Sequence, residues 1–101
     1  MKFEELCDAR YSLRKFDSRP VEAEKLQKVL EAGRKAPTAH NLQPQRFFVM
    51  QSEEALAKAD ACTACHFLSP VVIVAAYDPE ISWKREEDGK NHGEIDVTLA
   101  V

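Results

Sequence analysis

Apolar residues recur at helical spacing toward both ends of this chain and run almost uninterrupted in two stretches between. Phe3, Leu6 and Cys7 share one side of a helical projection, with Glu4, Glu5 and Asp8 on the other. That pattern predicts a short amphipathic helix over residues 2–9. Leu26, Val29, Leu30 and Gly33 form a longer stripe opposed by Glu22, Lys25, Lys28 and Glu31, predicting a helix over 22–35 that Pro37 ends. Its first turn carries Glu22 and Glu24 and its last Arg34 and Lys35, both favourable to the helix dipole. Gly33 weakens a helix relative to alanine, so it is expected where another backbone comes close. The runs Arg46–Met50 and Leu68–Ala76 lack polar alternation and predict strands covered on both faces. Ser52, followed by Glu53 and Glu54, is an N-cap for a helix over 53–62. A last helix begins near Gly93, with Ile95, Leu99 and Val101 along its apolar face. Between these elements lie a turn at Asp17–Pro20, a two-proline loop over 37–45, and a charged loop over 77–92 around Trp83.

Composition narrows the classes. The 101 residues suit one domain or a piece of one, able to hide roughly two thirds of the unfolded surface. Hydrophobic residues make up 45%, which is globular rather than disordered. A net charge of -3, from 14 basic and 17 acidic residues, gives no bulk attraction to nucleic acid or to an anionic membrane. No apolar run reaches the roughly 18 residues of a membrane span, and the first residues lack the apolar stretch of a secretory signal. The cytoplasm is the expected compartment, where three cysteines do not make a disulfide framework. The chain stops at Leu99-Ala100-Val101, inside an amphipathic pattern with no closing residue. That ending predicts a fragment, or a chain that depends on a partner.

Candidate chemistry begins at Arg10-Tyr11-Ser12-Leu13-Arg14. In extended backbone the side chains at i, i+2 and i+4 project to one side, bringing Arg10, Ser12 and Arg14 together while Tyr11 and Leu13 turn toward a core. Two guanidinium forks flanking a hydroxyl match phosphate and polyol oxygens. The same run, with Lys15, Asp17 and Arg19, also reads as a solvated charged face. Pro37-Thr38-Ala39-His40-Asn41-Leu42-Gln43-Pro44-Gln45 is dense in neutral hydrogen-bonding groups.

These stretches, taken in order, resemble the FMN-dependent nitroreductases. The resemblance rests on Arg-x-Ser-x-Arg-x-Phe from Arg10, then Pro20-Val21 and the amphipathic helix leading to Ala36-Pro37-Thr38-Ala39-His40-Asn41-Leu42-Gln43-Pro44. It continues through Leu68-Ser69-Pro70-Val71-Val72-Ile73-Val74-Ala75 and Gly93-Glu94-Ile95-Asp96-Val97-Thr98-Leu99-Ala100. It implies an α+β fold, a central mixed sheet flanked by helices. Residues 1–101 would then be the N-terminal part of a single domain whose family members are considerably longer. It further implies an intertwined homodimer with FMN at the interface, reduced by NAD(P)H and reoxidised by nitro compounds, quinones or enones. By position, Arg10, Ser12 and Arg14 would hold the phosphate and ribityl chain, with Tyr11 in the same cofactor-binding strip. Pro37, Thr38, Ala39 and Asn41 would reach the flavin held by the other subunit. Thr38 stands where the family often has serine. The chemistry belongs to flavin N5, so no side chain is assigned as general acid or nucleophile.

One motif points elsewhere. Cys62-Thr63-Ala64-Cys65-His66 matches the c-type haem attachment pattern and would make an electron-transfer protein. The absence of an export signal and the two apolar strands weigh against it. A metal site using Cys62, Cys65 and His66 with His40 or His92, a redox dithiol, and plain packing are the other readings. His40 is expected to face solvent and Trp83 to pack against the core. Lys84, Arg85 and Lys90 are expected to be neutralised by Glu86, Glu87 and Asp88. A third functional class is a non-catalytic fragment that associates through its apolar C-terminal helix.

Overall fold

The uninterrupted apolar runs become the two strands. Gln45–Met50 (β1) pairs antiparallel with Val72–Tyr77 (β2), in a register that sets Gln45 opposite Tyr77 and Met50 opposite Val72. Four helices accompany this pair in a computed structural model that describes residues 1–101: Phe3–Ala9 (α1), Ala23–Arg34 (α2), Glu53–Ala61 (α3) and Gly93–Ala100 (α4). Ser52 caps α3, its Oγ accepting from the Ala55 amide at 3.1 Å. Helices around a sheet give the α+β class, although these residues contribute an antiparallel pair rather than a mixed sheet.

Close approaches at small residues bind the body together. A Cβ at Gly33 would lie 2.9 Å from Phe47 Cζ and 3.4 Å from the Ala100 carbonyl oxygen, so α2 meets β1 and α4 there. A Cβ at Gly93 would lie 2.1 Å from the Tyr77 ring, so α4 rests directly on β2. The inward face of α4 is therefore Gly93, Asp96, Val97 and Ala100, whereas Ile95 and Leu99 are exposed. This corrects the expectation that Ile95 and Leu99 mark its packing face within the chain. Small residues win because only they let the helix reach the sheet.

Several other expected contacts are missing. Phe48 on β1 is 54% exposed and Val74 on β2 is also exposed, so the strands are covered on one face only. Leu26 and Leu30 of α2 are half-buried, but Val29 lies in solvent. Tyr11 and Leu13, expected to turn toward a core, are 79% and 52% exposed. The common reason is that no hydrophobic side chain is fully buried. The molecule exposes 8265 Å², against about 5,800 Å² for a typical folded monomer of its mass. Its radius of gyration is 15.9 Å, against about 13 Å for a compact domain of this length. The apolar faces find no partner within the chain.

The second strand starts later than its apolar run. Leu68 has a positive φ of 54°, Pro70 has no amide to give, and the Val71 amide turns to Ser69 Oγ at 3.3 Å. The 77–92 segment contains a small hairpin closed by a Lys84–Asn91 bridge and an Arg85–Asp88 ion pair, turning at Gly89 with φ 69°. An open hollow of about 730 Å³ beside α3, lined by Leu56, Phe67, Leu68 and Val72, lies away from residues 10–14 and 37–41.

Candidate functional site

The Arg10–Arg14 strip leaves α1 in extended backbone, Arg10 having φ −61° and ψ 131°. Arg10 Nη1 donates to Ser12 Oγ at 2.9 Å, so these two side chains share one side of the strip. Arg14 bonds to neither. Arg19, Arg34 and Arg85 each pair with a carboxylate, and Arg46 donates to the carbonyls of Gln43 and Gln45. Arg10 and Arg14 pair with no acid of the chain, so two guanidinium charges stand unneutralised within five residues.

The second group of candidates sits between α2 and β1. Proline ends the helix, and the chain then makes a 3₁₀ turn over Ala39–Asn41 from an extended Thr38. His40, Asn41 and Gln43 all hold positive φ, at 54°, 53° and 53°. Such conformations are costly for residues other than glycine, though asparagine bears them best. Four bonds hold the turn: Asn41 N to Thr38 O at 2.9 Å, Leu42 N to Ala39 O at 3.3 Å, Gln43 N to Thr38 Oγ1 at 3.0 Å, and Gln43 Nε2 to Asn41 Oδ1 at 2.9 Å. The last leaves the Asn41 amide nitrogen free to donate outward. Pro37 and Asn41 are exposed, whereas Thr38 and Ala39 are half-buried.

A fifth bond was not foreseen from the sequence. The Ala39 amide donates to Asp96 Oδ1 of α4 at 2.9 Å, across 57 positions of chain. Asp96 is 2% exposed, and its Oδ2 has no partner. The available signal was the spacing Gly93, Asp96, Ala100, which sets a carboxylate among small residues on one helical face. His40 stacks on Trp83 at 4.9 Å, and Trp83 leans on His92 at 4.6 Å. Trp83 is thus held between two imidazoles instead of in an apolar core. No hydrogen bond or ion pair links the Arg10–Arg14 strip to this loop.

Cys62 and Cys65 are free, exposed thiols in the connection between α3 and β2. Cys62 Sγ donates to the Lys58 carbonyl at 3.2 Å and His66 Nδ1 lies 2.8 Å from Asp60 Oδ1. No three His, Cys, Asp or Glu side chains converge where they could hold a metal ion. His40 and His92 are engaged with Trp83 instead. No helix is long and apolar enough to cross a membrane.

Two antiparallel strands flanked by helices, with a cationic strip and a polar turn on the surface, define an α+β protein. The nitroreductase family model matches residues 8–69, a span that runs through the Cys62–His66 motif. A protein named as an NAD(P)H nitroreductase in Streptococcus pyogenes serotype M6 is 42% identical over 59 residues, 57% of this chain and 30% of its own. A nitroreductase family protein from Clostridium difficile 630 superposes with a TM-score of 0.92 at 41% identity, covering 99% of this chain and 58% of that one. An FMN-dependent nitroreductase from Clostridium difficile R20291 gives a TM-score of 0.74 at 33% identity, covering 91% and 51%. The chain belongs to the nitroreductase family. It spans between about a third and three fifths of the length of these relatives.

Proposed function

We propose that residues 1–101 are the N-terminal part of a single nitroreductase-like domain, in an enzyme that passes hydride from NAD(P)H through FMN to nitro, quinone or related acceptors. The observation that carries this reading is the unneutralised pair Arg10 and Arg14 around a hydroxyl already aligned by Arg10 at 2.9 Å. Charge-assisted bonds from a planar fork suit a phosphate dianion, and Ser12 suits the adjoining polyol. The donor chemistry of the strip therefore fits FMN. When bound, the flavin supplies the hydride chemistry. The chain's own residues bind and orient it: Arg10 and Arg14 counter the phosphate, Ser12 holds the ribityl chain, and exposed Tyr11 lies in the same strip. Thr38 and Ala39 shape the turn, Pro37 directs entry to it, and Asn41 offers its free amide nitrogen.

The strip and the turn are not linked within one chain, which supports a homodimer whose sites each take the strip from one protomer and the turn from its partner. The bare faces carrying Phe48, Ile95 and Leu99 are apolar surface for such an assembly or for further polypeptide. Three free thiols accord with the cytoplasm.

Titration with FMN, followed by quenching of flavin fluorescence and by sedimentation, tests the reading. One FMN per protomer in a dimer, bleached anaerobically by NAD(P)H, is the expected result. A Soret band that survives denaturation would place the chain with haem carriers. Self-association without FMN uptake would leave only the associating fragment.

A further inference from the structure

The turn that presents Asn41 does not hold itself. Three demands meet there: left-handed backbone at His40, at Asn41 and again at Gln43, none of them glycine. Left to local preferences, a segment with that much strain would sample other conformations. Arg46 of the adjoining strand donates to the Gln43 carbonyl at its far end, and one bond reaches its start from a distant element, from the Ala39 amide to Asp96 Oδ1 at 2.9 Å. The acceptor is a carboxylate, stronger than a carbonyl, and it is 98% removed from solvent by its 2% exposure. Burying a carboxylate against a single N–H is costly, and Oδ2 is left without any partner. A helix that needed only packing would be served better by alanine or leucine at this position. α4 is itself fixed, since Gly93 brings it onto Tyr77 and Ala100 brings it to Gly33.

We infer that Asp96 is the positioning residue of the flavin loop: its buried carboxylate fixes the Ala39 amide, and with it the left-handed turn from which Asn41 is presented. This rests on reading residues 37–41 as the flavin loop. Asp96 touches no cofactor; it acts through Ala39. His40 of the same turn also stacks on Trp83, so the loop has a second contact beside the start of the 84–91 hairpin.

Two variants separate the bond from the packing. Asp96→Ala removes the acceptor, and Asp96→Asn restores one of nearly the same shape. Ala39→Pro removes the donor instead. Thr38, at φ −131° and ψ 152°, already has the backbone that a following proline requires. The first measurement is amide hydrogen exchange in the protein without cofactor, and the second is FMN affinity by fluorescence titration. In Asp96→Ala, exchange at Ala39, Asn41 and Leu42 is expected to rise about tenfold or more, while the Phe47–Ala75 strand amides stay unchanged. FMN affinity is expected to fall by about tenfold, and Asp96→Asn to recover most of both effects. Ala39→Pro is expected to repeat the rise at Asn41 and Leu42; it also answers the question if Asp96→Ala does not fold. Unchanged exchange in the loop of either variant overturns the positioning role. Faster loop exchange with unchanged FMN affinity, in a protein that binds FMN, keeps the anchor but overturns its link to the cofactor. Failure of the wild type to bind FMN overturns the flavin reading and leaves the exchange result to stand by itself.

Discussion

Residues 10–14 and residues 37–41 are the two halves of one proposed site, yet the chain treats them differently. Every residue from Met1 to Lys25 is exposed, and the strip's one internal bond joins Arg10 to Ser12 two positions away. The loop is gripped by a buried carboxylate 57 positions distant and leans on Trp83. A group with no structural duty can be spent wholly on a ligand, whereas a group woven into the packing serves both. Substitutions in the strip should therefore change binding and leave stability alone. Substitutions around the loop should change both together.

The largest effect expected is at the base of the loop's support. Gly93→Ala drives a methyl to 2.1 Å from the Tyr77 ring, and either α4 or the ring must move. A loss of about 3 kcal/mol is expected, read as a lower urea midpoint at constant slope. A neutral Gly93→Ala would mean that α4 does not lie on β2, and the contrast between the two halves would collapse. Next come the strip arginines. Arg10→Ala and Arg14→Ala should each weaken FMN binding by about 1–3 kcal/mol, with midpoints shifted by less than about 0.5 kcal/mol. Equal losses of stability and affinity would show that the strip is part of the fold after all. A matched pair of hydroxyl deletions sharpens the point. Thr38→Ala removes the acceptor for Gln43 N and should cost about 1 kcal/mol of stability, whereas Ser12→Ala should cost nearly none.

The same contrast explains what could be read from the sequence. Helices α2 and α3 follow from local information: an apolar stripe at helical spacing, a serine cap, a proline stop. The two strands were visible too, because unbroken apolar runs such as Val71–Ala76 have few other uses. Which faces would be covered was not visible, since nothing within these residues covers Phe48 and Val74. The arginine strip was legible because its alternation is a property of five neighbouring positions. Asp96 was not. A carboxylate between Ile95 and Val97 looks like the polar side of a helix, and only the fold brings Ala39 to it. Nor was the inward face of α4, since hydrophobicity points to Ile95 and Leu99 while steric access selects Gly93 and Ala100.

The smallest expected effect compares a paired arginine with the unpaired ones. In the hairpin that carries Trp83, the Arg85 guanidinium holds the Asp88 carboxyl at about 2, helped by a bond from the Lys90 amide. An unfolded aspartate titrates near 3.9, so between about pH 4 and pH 2 the unfolded chain binds the proton more readily than the folded one. The contribution of the pair is therefore complete above pH 4 and is lost as the pH falls through 2. Asp88→Asn should be slightly less stable than the parent at neutral pH, and the two acid-unfolding curves should converge near pH 2. The difference is expected to be small, because the pair is open to solvent and screened by salt. Arg10→Ala, by contrast, should leave the acid limb superimposable on the parent, since Arg10 bonds to Ser12 and to no carboxylate. An acid limb altered by Arg10→Ala would reveal a hidden acidic partner for the strip, and its charge would no longer be free for a phosphate.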